Sequence, residues 1–484
     1  MLRRHIPDSQ SSSFRVRSLT CSMDVAFACL LALLTSCGGG SGSTSAPSRS
    51  YTVSANIVGL ADVTGLSLQD NSGDTLAASS SGLTAFSTAV PSGGNYSVTI
   101  LSQPTGHTCA MQNGSGKVDD SNVVVMVVCP WHVGYATSTQ GILAYYLDES
   151  TGATYPLAGN PFHAGSNPTA IAVDPAAQYL YVTDQDDNTI SAFTIDPTDG
   201  SLSPVAGSPY AAEGTVSGAL AIDAQGRFVY VANLGSDTIA GFSIDASSGS
   251  LTPVAGSPFA AGISLQTSTH PYLAVSRTDF VYVAAPGGSG AYIAGFSLDP
   301  TTGALSQIAG SPFSVDGPSA PPLFPCVATA FLIDPKARHF YTGFDCPEGT
   351  DTGYFVTAAI DPVTGVLTVA STPANPYPSP IIGSLAADST GAFLYNGDDG
   401  ADYVDVLAGP SAGTRYEVGG APTLAGIDPS NRFLYAPAIN QAGQVINLNS
   451  PYSIDPTTGV LTPFMGGTNT TINNGAPVAF SNTP

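Results

Sequence analysis

The sequence predicts an all-β protein, a seven-bladed β-propeller preceded by a small Ig-like β-sandwich. One pattern occurs seven times: an aromatic-rich strand, a polar turn, an alternating strand, and the turn D-P-T-T-G or a near relative. The copies are spaced by about 40 to 60 residues, the period of propeller blades. The 484 residues include 53 Gly and 38 Pro, and only 10% are charged, which favours short strands and tight turns. The turn copies are Asp148–Gly152, Asp196–Gly200, Asp245–Gly249, Asp299–Gly303, Asp361–Gly365, the degenerate Gly409–Gly413 and Asp455–Gly459.

The N-terminus has the layout of a bacterial export signal. Basic residues precede an apolar run, and the segment L-T-S-C that ends at Cys37 resembles the lipobox of bacterial lipoproteins. We therefore expect residues 1–36 to be a signal peptide, Cys37 to carry lipid, and residues 37–50 to form a flexible Gly/Ser linker. The alternative is an ordinary signal peptide with an incidental cysteine. The resemblance implies an exported protein, lipid-anchored in the cell envelope. The glycine after the cysteine implies the outer membrane.

Residues 51–130 are predicted to form the sandwich. Alternating runs such as Tyr51–Ser54 and Tyr96–Ile100 are separated by Gly, Asn and Ser, the pattern of a small antiparallel β-sandwich. It resembles the Ig-like modules that precede other domains in bacterial surface lipoproteins. A disulfide between Cys109 and Cys129 would support a core of this size. Zinc binding by the cysteines is the alternative, but the sequence has no close C-x-x-C pair.

Residues 131–484 are predicted to form the propeller. The first copy of the pattern begins almost at its second strand, and Pro477–Phe480 matches the missing first strand. We expect this C-terminal strand to complete the first blade and close the ring, which removes exposed sheet edges. In the second copy, the four strands are predicted at Thr169–Val173, Tyr179–Thr183, Thr189–Ile195 and Leu202–Ala206.

Two strand motifs resemble a known family. Tyr-Val-Thr-Asp at 181–184 and Tyr-Val-Ala-Asn at 230–233, with the D-P-x-T-G turns, resemble the YVTN-type repeats of seven-bladed lactonase-like propellers. The best-known members are 6-phosphogluconolactonases, and the resemblance covers about residues 131–484. It implies a ligand site on one face of the ring. We call this the loop face, because the loops after the second and fourth strands of each blade form it.

The remaining cysteines and the basic residues allow further predictions about the loop face. Cys326 begins a predicted first strand and Cys346 follows the next strand, so a disulfide can join them across one hairpin. All basic residues of the predicted propeller lie in turns after first strands, except Arg415 near a turn after a third strand. The loop face therefore has no Lys or Arg, which a phosphorylated lactone needs as partners. The basic residues are Arg227, Arg277, Lys336, Arg338, Arg415 and Arg432.

Three residues in successive inter-blade loops are the candidates for catalysis. His163, Glu213 and His270 all belong to the loop face, where a His/Glu set could act as general base in lactone opening. The alternative is three unrelated loop residues. G-P-S-A-G at 409–413 matches a nucleophile pattern, but it fills the sixth D-P-T-T-G turn and lacks the required strand-turn-helix context.

No cofactor or metal site is expected, and Ca²⁺ is the alternative. The loops 184–188 and 398–402 are rich in Asp, whose oxygens suit this ion. However, 184–188 aligns without gaps with the loop 233–237 of the next repeat, so turn-forming residues explain it.

The net charge limits the partners. At −23, the chain repels phosphate backbones, which excludes nucleic acid. The sequence favours a surface-anchored binding or scaffold lipoprotein, held at the membrane by its lipid, that takes an unknown small molecule or protein on the loop face. The alternative function is a lactone hydrolase that acts on an uncharged or cationic lactone.

Overall fold

All regular elements in the described part of the computed structural model are β-strands. The model describes residues 49–482 except 59, 61–64, 72, 105–108, 130–131, 139, 148–151, 198, 266–271, 285–291, 316–326, 346–353, 370–383, 399–402, 418–420, 423–425, 437, 440–444, 448–450 and 464–477. The predicted signal peptide and Cys37 lie outside these residues, so the lipid anchor stays a prediction. The described residues contain no helix that is long and apolar enough to cross a membrane.

Two four-stranded sheets precede the repeats and share one core. Buried side chains from both sheets, among them Val53, Ile57, Leu68 and Val98, form a single apolar cluster. The first sheet contains Gly82–Ala85, Val53–Val58, Val123–Val128 and Ala110–Gln112, in spatial order. The second contains Asp74–Ala78, Leu66–Asp70, Asn95–Ser102 and Ser115–Lys117. A short pair, Ser50–Tyr51 and Val90–Pro91, adjoins them.

The pairing in the first of these sheets differs from the antiparallel expectation. Val53–Val58 and Val123–Val128 run parallel, with Val53 opposite Val123 and Val58 opposite Val128. Most of the segment 51–130 lies between the two strands, so the chain can cross over and return in the same direction, as parallel pairing requires. The predicted disulfide between Cys109 and Cys129 is present, and both cysteines are buried in the shared core.

Seven further sheets have the strand order that the repeats predict, numbered here from sheet 1 to sheet 7. Their strands, in spatial order, are as follows. Sheet 1 has Val478–Asn482, His132–Ser138, Gly141–Leu147 and Thr154–Pro156. Sheet 2 has Pro168–Val173, Tyr179–Asp184, Thr189–Ile195 and Leu202–Pro204, with Tyr210–Ala211 beside its third strand. Sheet 3 has Ser217–Ile222, Phe228–Asn233, Thr238–Ile244 and Leu251–Pro253, with Phe259–Ala260 placed likewise.

The remaining sheets follow the same order. Sheet 4 has Tyr272–Val275, Phe280–Ala284, Tyr292–Leu298 and Leu305–Gln307, with Phe313–Ser314 beside its third strand. Sheet 5 has Val327–Ile333, His339–Asp345, Tyr354–Ile360 and Leu367–Val369. Sheet 6 has Ser384–Ala387, Leu394–Asp398, Tyr403–Ala408 and Arg415–Glu417. Sheet 7 has Gly426–Ile427, Phe433–Tyr435, Pro451–Ile454 and Leu461–Pro463, and a small separate sheet has Ala421–Pro422, Ala438–Ile439 and Val445–Asn447.

The first strands of successive sheets lie next to one another, from the first strand of sheet 1 through to that of sheet 7. The first strand of sheet 1 is the C-terminal strand Val478–Asn482, which pairs antiparallel with His132–Ser138. The first and last repeats therefore meet through the two ends of this part of the chain.

Among the described residues, a hydrogen bond from a tyrosine to a glycine joins neighbouring sheets at six places. The tyrosine is in the second strand of one sheet, and its hydroxyl donates to the carbonyl of the last glycine of the D-P-T-T-G turn in the next sheet, at 2.6 to 3.2 Å. Each of the six tyrosines is at most 3% exposed. The last bond leads from sheet 7 back to sheet 1. The pairs are Tyr135–Gly200, Tyr181–Gly249, Tyr230–Gly303, Tyr282–Gly365, Tyr395–Gly459 and Tyr435–Gly152.

Strand alternation explains how each sheet packs on both neighbours. Tyr181 points to sheet 3, so the next residue, Val182, points back and packs in the apolar cluster shared with sheet 1. Val231 packs against sheet 2 and Val283 against sheet 3 in the same way. Alternate residues of the second strand thus pack against the same neighbouring sheet.

Candidate functional site

The structure describes two of the three predicted catalytic residues. His163 is exposed and follows Phe162, whose backbone forms two hydrogen bonds with Ile142 of sheet 1. Glu213 is half-buried in the next inter-sheet loop and has a backbone φ of 52°. His270 lies outside the described residues. Nothing in the described residues joins His163 to Glu213, so their cooperation stays a prediction.

A serine of the scaffold orients the Glu213 carboxylate. The Ser257 hydroxyl donates to Oε2 of Glu213 at 3.1 Å and accepts the Gly241 N–H at 3.0 Å. Ser208 and Ser311 accept the equivalent N–H groups in sheets 2 and 4, so Ser257 belongs to the repeated framework rather than to a nucleophile. The Glu213 side chain is therefore held at one oxygen by a rigid donor.

The G-x-S-x-G segment also has a framework role. Ser411 donates its hydroxyl proton to the Thr458 carbonyl at 2.6 Å, which links the corresponding turns of sheets 6 and 7. The segment lies in a turn between two strands, and this contact agrees with its exclusion as a nucleophile motif.

The acidic loop 184–188 is occupied by protein hydrogen-bond donors. Asp184 is fully buried and accepts from the hydroxyls of Ser191 and Thr189 and from the Gly165 N–H. The other carboxylates bond the loop before the first strand: Asp187 accepts the Ser166 N–H at 2.6 Å. In the described residues, no three His, Cys, Asp or Glu side chains are grouped to hold a metal ion. Residues 399–402 of the second acidic loop lie outside the described residues.

We expect Asp184→Asn to raise the melting temperature at pH 7, by an amount that shrinks as the pH falls towards 4. Burial raises the pKa of the Asp184 carboxyl from its ordinary value of 3.8. The folded protein therefore binds this proton more tightly than the unfolded chain, and the wild type loses stability as the pH rises from the ordinary to the raised pKa. Asparagine does not titrate, and Asn233 occupies this place in sheet 3.

Thermal unfolding of Asp184→Asn and of the wild type between pH 4 and pH 8 measures the difference between their melting temperatures. Asp186→Asn is the matched control, because Asp186 is exposed in the same loop. A difference in melting temperature that stays constant or increases at low pH would contradict the prediction.

Five of the six Lys and Arg side chains of the described propeller lie in turns after first strands, away from the loop face, and Arg415 lies in the fourth strand of sheet 6. Arg227 follows a first strand and is paired with Asp223 and Asp279, at 2.8 and 3.0 Å. Arg338 lies at the same place in sheet 5, and Arg432 in sheet 7. The positive charge of these side chains therefore lies on the opposite face, and the described part of the loop face has acidic and neutral groups.

A second polar cluster, not predicted from the sequence, lies in sheet 6. Asn396 is fully buried, and neither its Nδ2 nor its Oδ1 has a hydrogen-bond partner among the described residues. Asp405 lies opposite it on the next strand and binds Arg415 through two contacts, at 2.7 and 3.2 Å. The Arg415 guanidinium lies over the Tyr403 ring, 4.7 Å from its centre. The sequence signal for this cluster was Asn396, a polar residue at the position where sheets 2 to 4 have valine.

Solved structures show the class of fold, whereas no protein-family model and no curated protein matches the chain. A putative 6-phosphogluconolactonase from Bacteroides uniformis aligns with a TM-score of 0.54 at 17% identity, over 72% of this chain and 99% of that one. The periplasmic gluconolactonase of Pseudomonas aeruginosa aligns with a TM-score of 0.52 at 18% identity, over 73% and 100%. A protein from Lactobacillus plantarum gives 0.51 at 20% identity, over 72% and 99%. The chain therefore has the lactonase-like β-propeller fold, which confirms the prediction of an all-β propeller.

Proposed function

We propose that the loop face of the propeller binds and hydrolyses an uncharged lactone. The observation that carries this proposal is that five of the six Lys and Arg side chains of the propeller lie in turns opposite the loop face, while Arg415 is paired with Asp405 within sheet 6, in a fold shared with a gluconolactonase. A phosphorylated substrate would need cationic partners at that face. An uncharged sugar lactone needs only hydrogen bonds and a base.

Glu213 is the proposed general base. Its carboxylate accepts one hydrogen bond from Ser257, which orients the side chain and leaves the second oxygen to take a proton from water. The water oxygen then bonds to the lactone carbonyl carbon, and the ring C–O bond breaks to give the hydroxy acid. His163 and His270 are the proposed partners that return a proton to the leaving oxygen.

We expect glucono-δ-lactone to be hydrolysed with a kcat/KM at least about tenfold higher than 6-phosphogluconolactone. Hydrolysis is followed as acid release at constant pH, with the spontaneous reaction subtracted. Glu213→Gln keeps the size and the acceptor for Ser257, and it should lower kcat by about 10²-fold or more with little change in KM. Wild-type activity in this variant would exclude Glu213 as the base.

A binding or scaffold role is the second candidate. The observation in its favour is that Ser257 is the described hydrogen-bond partner of Glu213, without an adjacent histidine or second carboxylate among the described residues. If neither lactone is turned over by the wild type, the hydrolase proposal fails and the binding role is favoured.

A further inference from the structure

The contact between sheets 5 and 6 differs from its six counterparts. Tyr341 occupies the position of the bonded tyrosines, but its hydroxyl has no hydrogen bond within the described residues, and its ring is half-buried. The turn that would receive it is the degenerate Gly409–Gly413, in which glycine replaces the first aspartate of the other turns. This contact, called the 5/6 seam below, thus lacks the bond that holds the other sheets together.

Aromatic rings line the sheet 5 side of the 5/6 seam. Phe340 packs towards sheet 4, so by strand alternation Tyr341 points to sheet 6. Tyr341 stacks on Phe355, with ring centres 5.8 Å apart and planes 11° from parallel. At the position of Phe355, sheets 2 to 4 have isoleucines that are at most 1% exposed, whereas Phe355 is half-buried. The seam is therefore open enough to leave both rings partly accessible.

Polar groups line the sheet 6 side. Tyr395 bonds to sheet 7, so Asn396 points to sheet 5, and Asp405 and Arg415 lie in the same cross-strand row. The carboxylate and the guanidinium neutralise each other. The Asn396 amide adds an unpaired donor and an unpaired acceptor at the floor of the seam. A buried polar group without a partner is destabilising, and such groups in native proteins call for an explanation.

We propose that the 5/6 seam is a binding site for a neutral ring ligand with adjacent hydroxyl groups, such as an unphosphorylated sugar. The apolar face of the ring stacks on Tyr341 and Phe355, and a hydroxyl pair donates to Oδ1 and accepts from Nδ2 of Asn396. The seam widens to admit the ligand without breaking a tyrosine–glycine bond. A charged ligand is disfavoured, because the ion pair beside it already has no net charge and a further buried charge would be unpaired. The site needs neither Glu213 nor turnover, so it is independent of the proposed hydrolase activity.

The test is calorimetric titration of the full mature protein with glucose and, as the charged counterpart, glucose 6-phosphate. We expect glucose to bind and the phosphate ester to bind at least about tenfold more weakly. Asn396→Val, the residue of sheets 2 to 4, should raise the melting temperature by about 2 °C or more and weaken glucose binding at least about tenfold. Asn396→Val should hydrolyse glucono-δ-lactone as the wild type does, which separates this site from the hydrolase.

A matched pair of tyrosine variants tests the open seam without a ligand. Tyr282→Phe removes a bond to Gly365 and should lower the melting temperature, whereas Tyr341→Phe should leave it unchanged. Three results would each overturn the proposal: no heat with glucose, unchanged glucose binding in Asn396→Val, or a melting temperature that falls in Asn396→Val. The last result would mean that the amide already has a partner within the protein.

Discussion

Replacement of Gly249 by alanine is expected to lower the free energy of unfolding by about 2 to 5 kcal/mol. Gly249 has a φ of 69°, where a side chain costs about 1 to 2 kcal/mol. The new Cβ would also lie 2.2 Å from Cδ1 of the buried Tyr179 ring, which cannot move away without disturbing sheet 2. The same residue accepts the hydrogen bond from Tyr181, so the clash also affects that bond.

Gly256 provides the control for backbone strain. It belongs to the same repeat and has a φ of 88°, but the nearest side-chain atom to its Cβ, on Phe259, would be 3.5 Å away. Gly256→Ala should therefore lose only the backbone contribution, about 1 to 2 kcal/mol. Denaturant titration, followed by tyrosine fluorescence and circular dichroism, gives both values. Equal losses in the two variants would show that contact with Tyr179 is unimportant.

Removal of the Cys109–Cys129 disulfide is expected to destabilise the N-terminal sandwich by about 3 kcal/mol. The bridge closes a segment with a sequence separation of 20, and both cysteines are buried in the core that the two small sheets share. A domain of about 80 residues has a limited apolar core, so this loss is a large fraction of its stability. In the double variant Cys109→Ala/Cys129→Ala, proteolysis within 51–130 should occur at lower temperature than in the wild type.

The second predicted pair serves as the comparison. Cys326→Ala/Cys346→Ala alters cysteines of the propeller segment, which lie outside the described residues, and should leave cleavage within 51–130 unchanged. Mass spectrometry of the fragments, with and without reductant, shows which segment is cut. Equal sensitivity of 51–130 in both double variants would contradict a local role for the Cys109–Cys129 bridge.

Local patterns were sufficient to predict most of the strands. For sheet 2, the predicted Tyr179–Thr183 and Thr189–Ile195 correspond to observed strands at Tyr179–Asp184 and Thr189–Ile195. The period-two alternation and the flanking Asp and Gly turns carry this information within a few residues. Strand direction in the sandwich was not predictable in the same way, since the pairing of Val53–Val58 with Val123–Val128 joins segments that are distant in sequence.

The candidate site was harder to predict from the sequence than the strands. Loop membership placed His163 and Glu213 on one face, but the bond between Glu213 and Ser257 joins two repeats and has no local signature. The sequence did contain a signal for the 5/6 seam, because Asn396 stands where sheets 2 to 4 have valine and the turn at 409–413 departs from D-P-T-T-G. Both deviations acquire meaning only when strand alternation shows that they face the same neighbouring sheet.

The sequence distance between Val478–Asn482 and its partner strand has a consequence for biosynthesis. Its partner strand, His132–Ser138, leaves the ribosome long before it, so sheet 1 keeps a bare edge until Val478–Asn482 has also been made. Such an edge can pair with another nascent chain, and contacts between distant segments form slowly. Shielding of that edge during synthesis therefore matters until Val478–Asn482 has been made and paired.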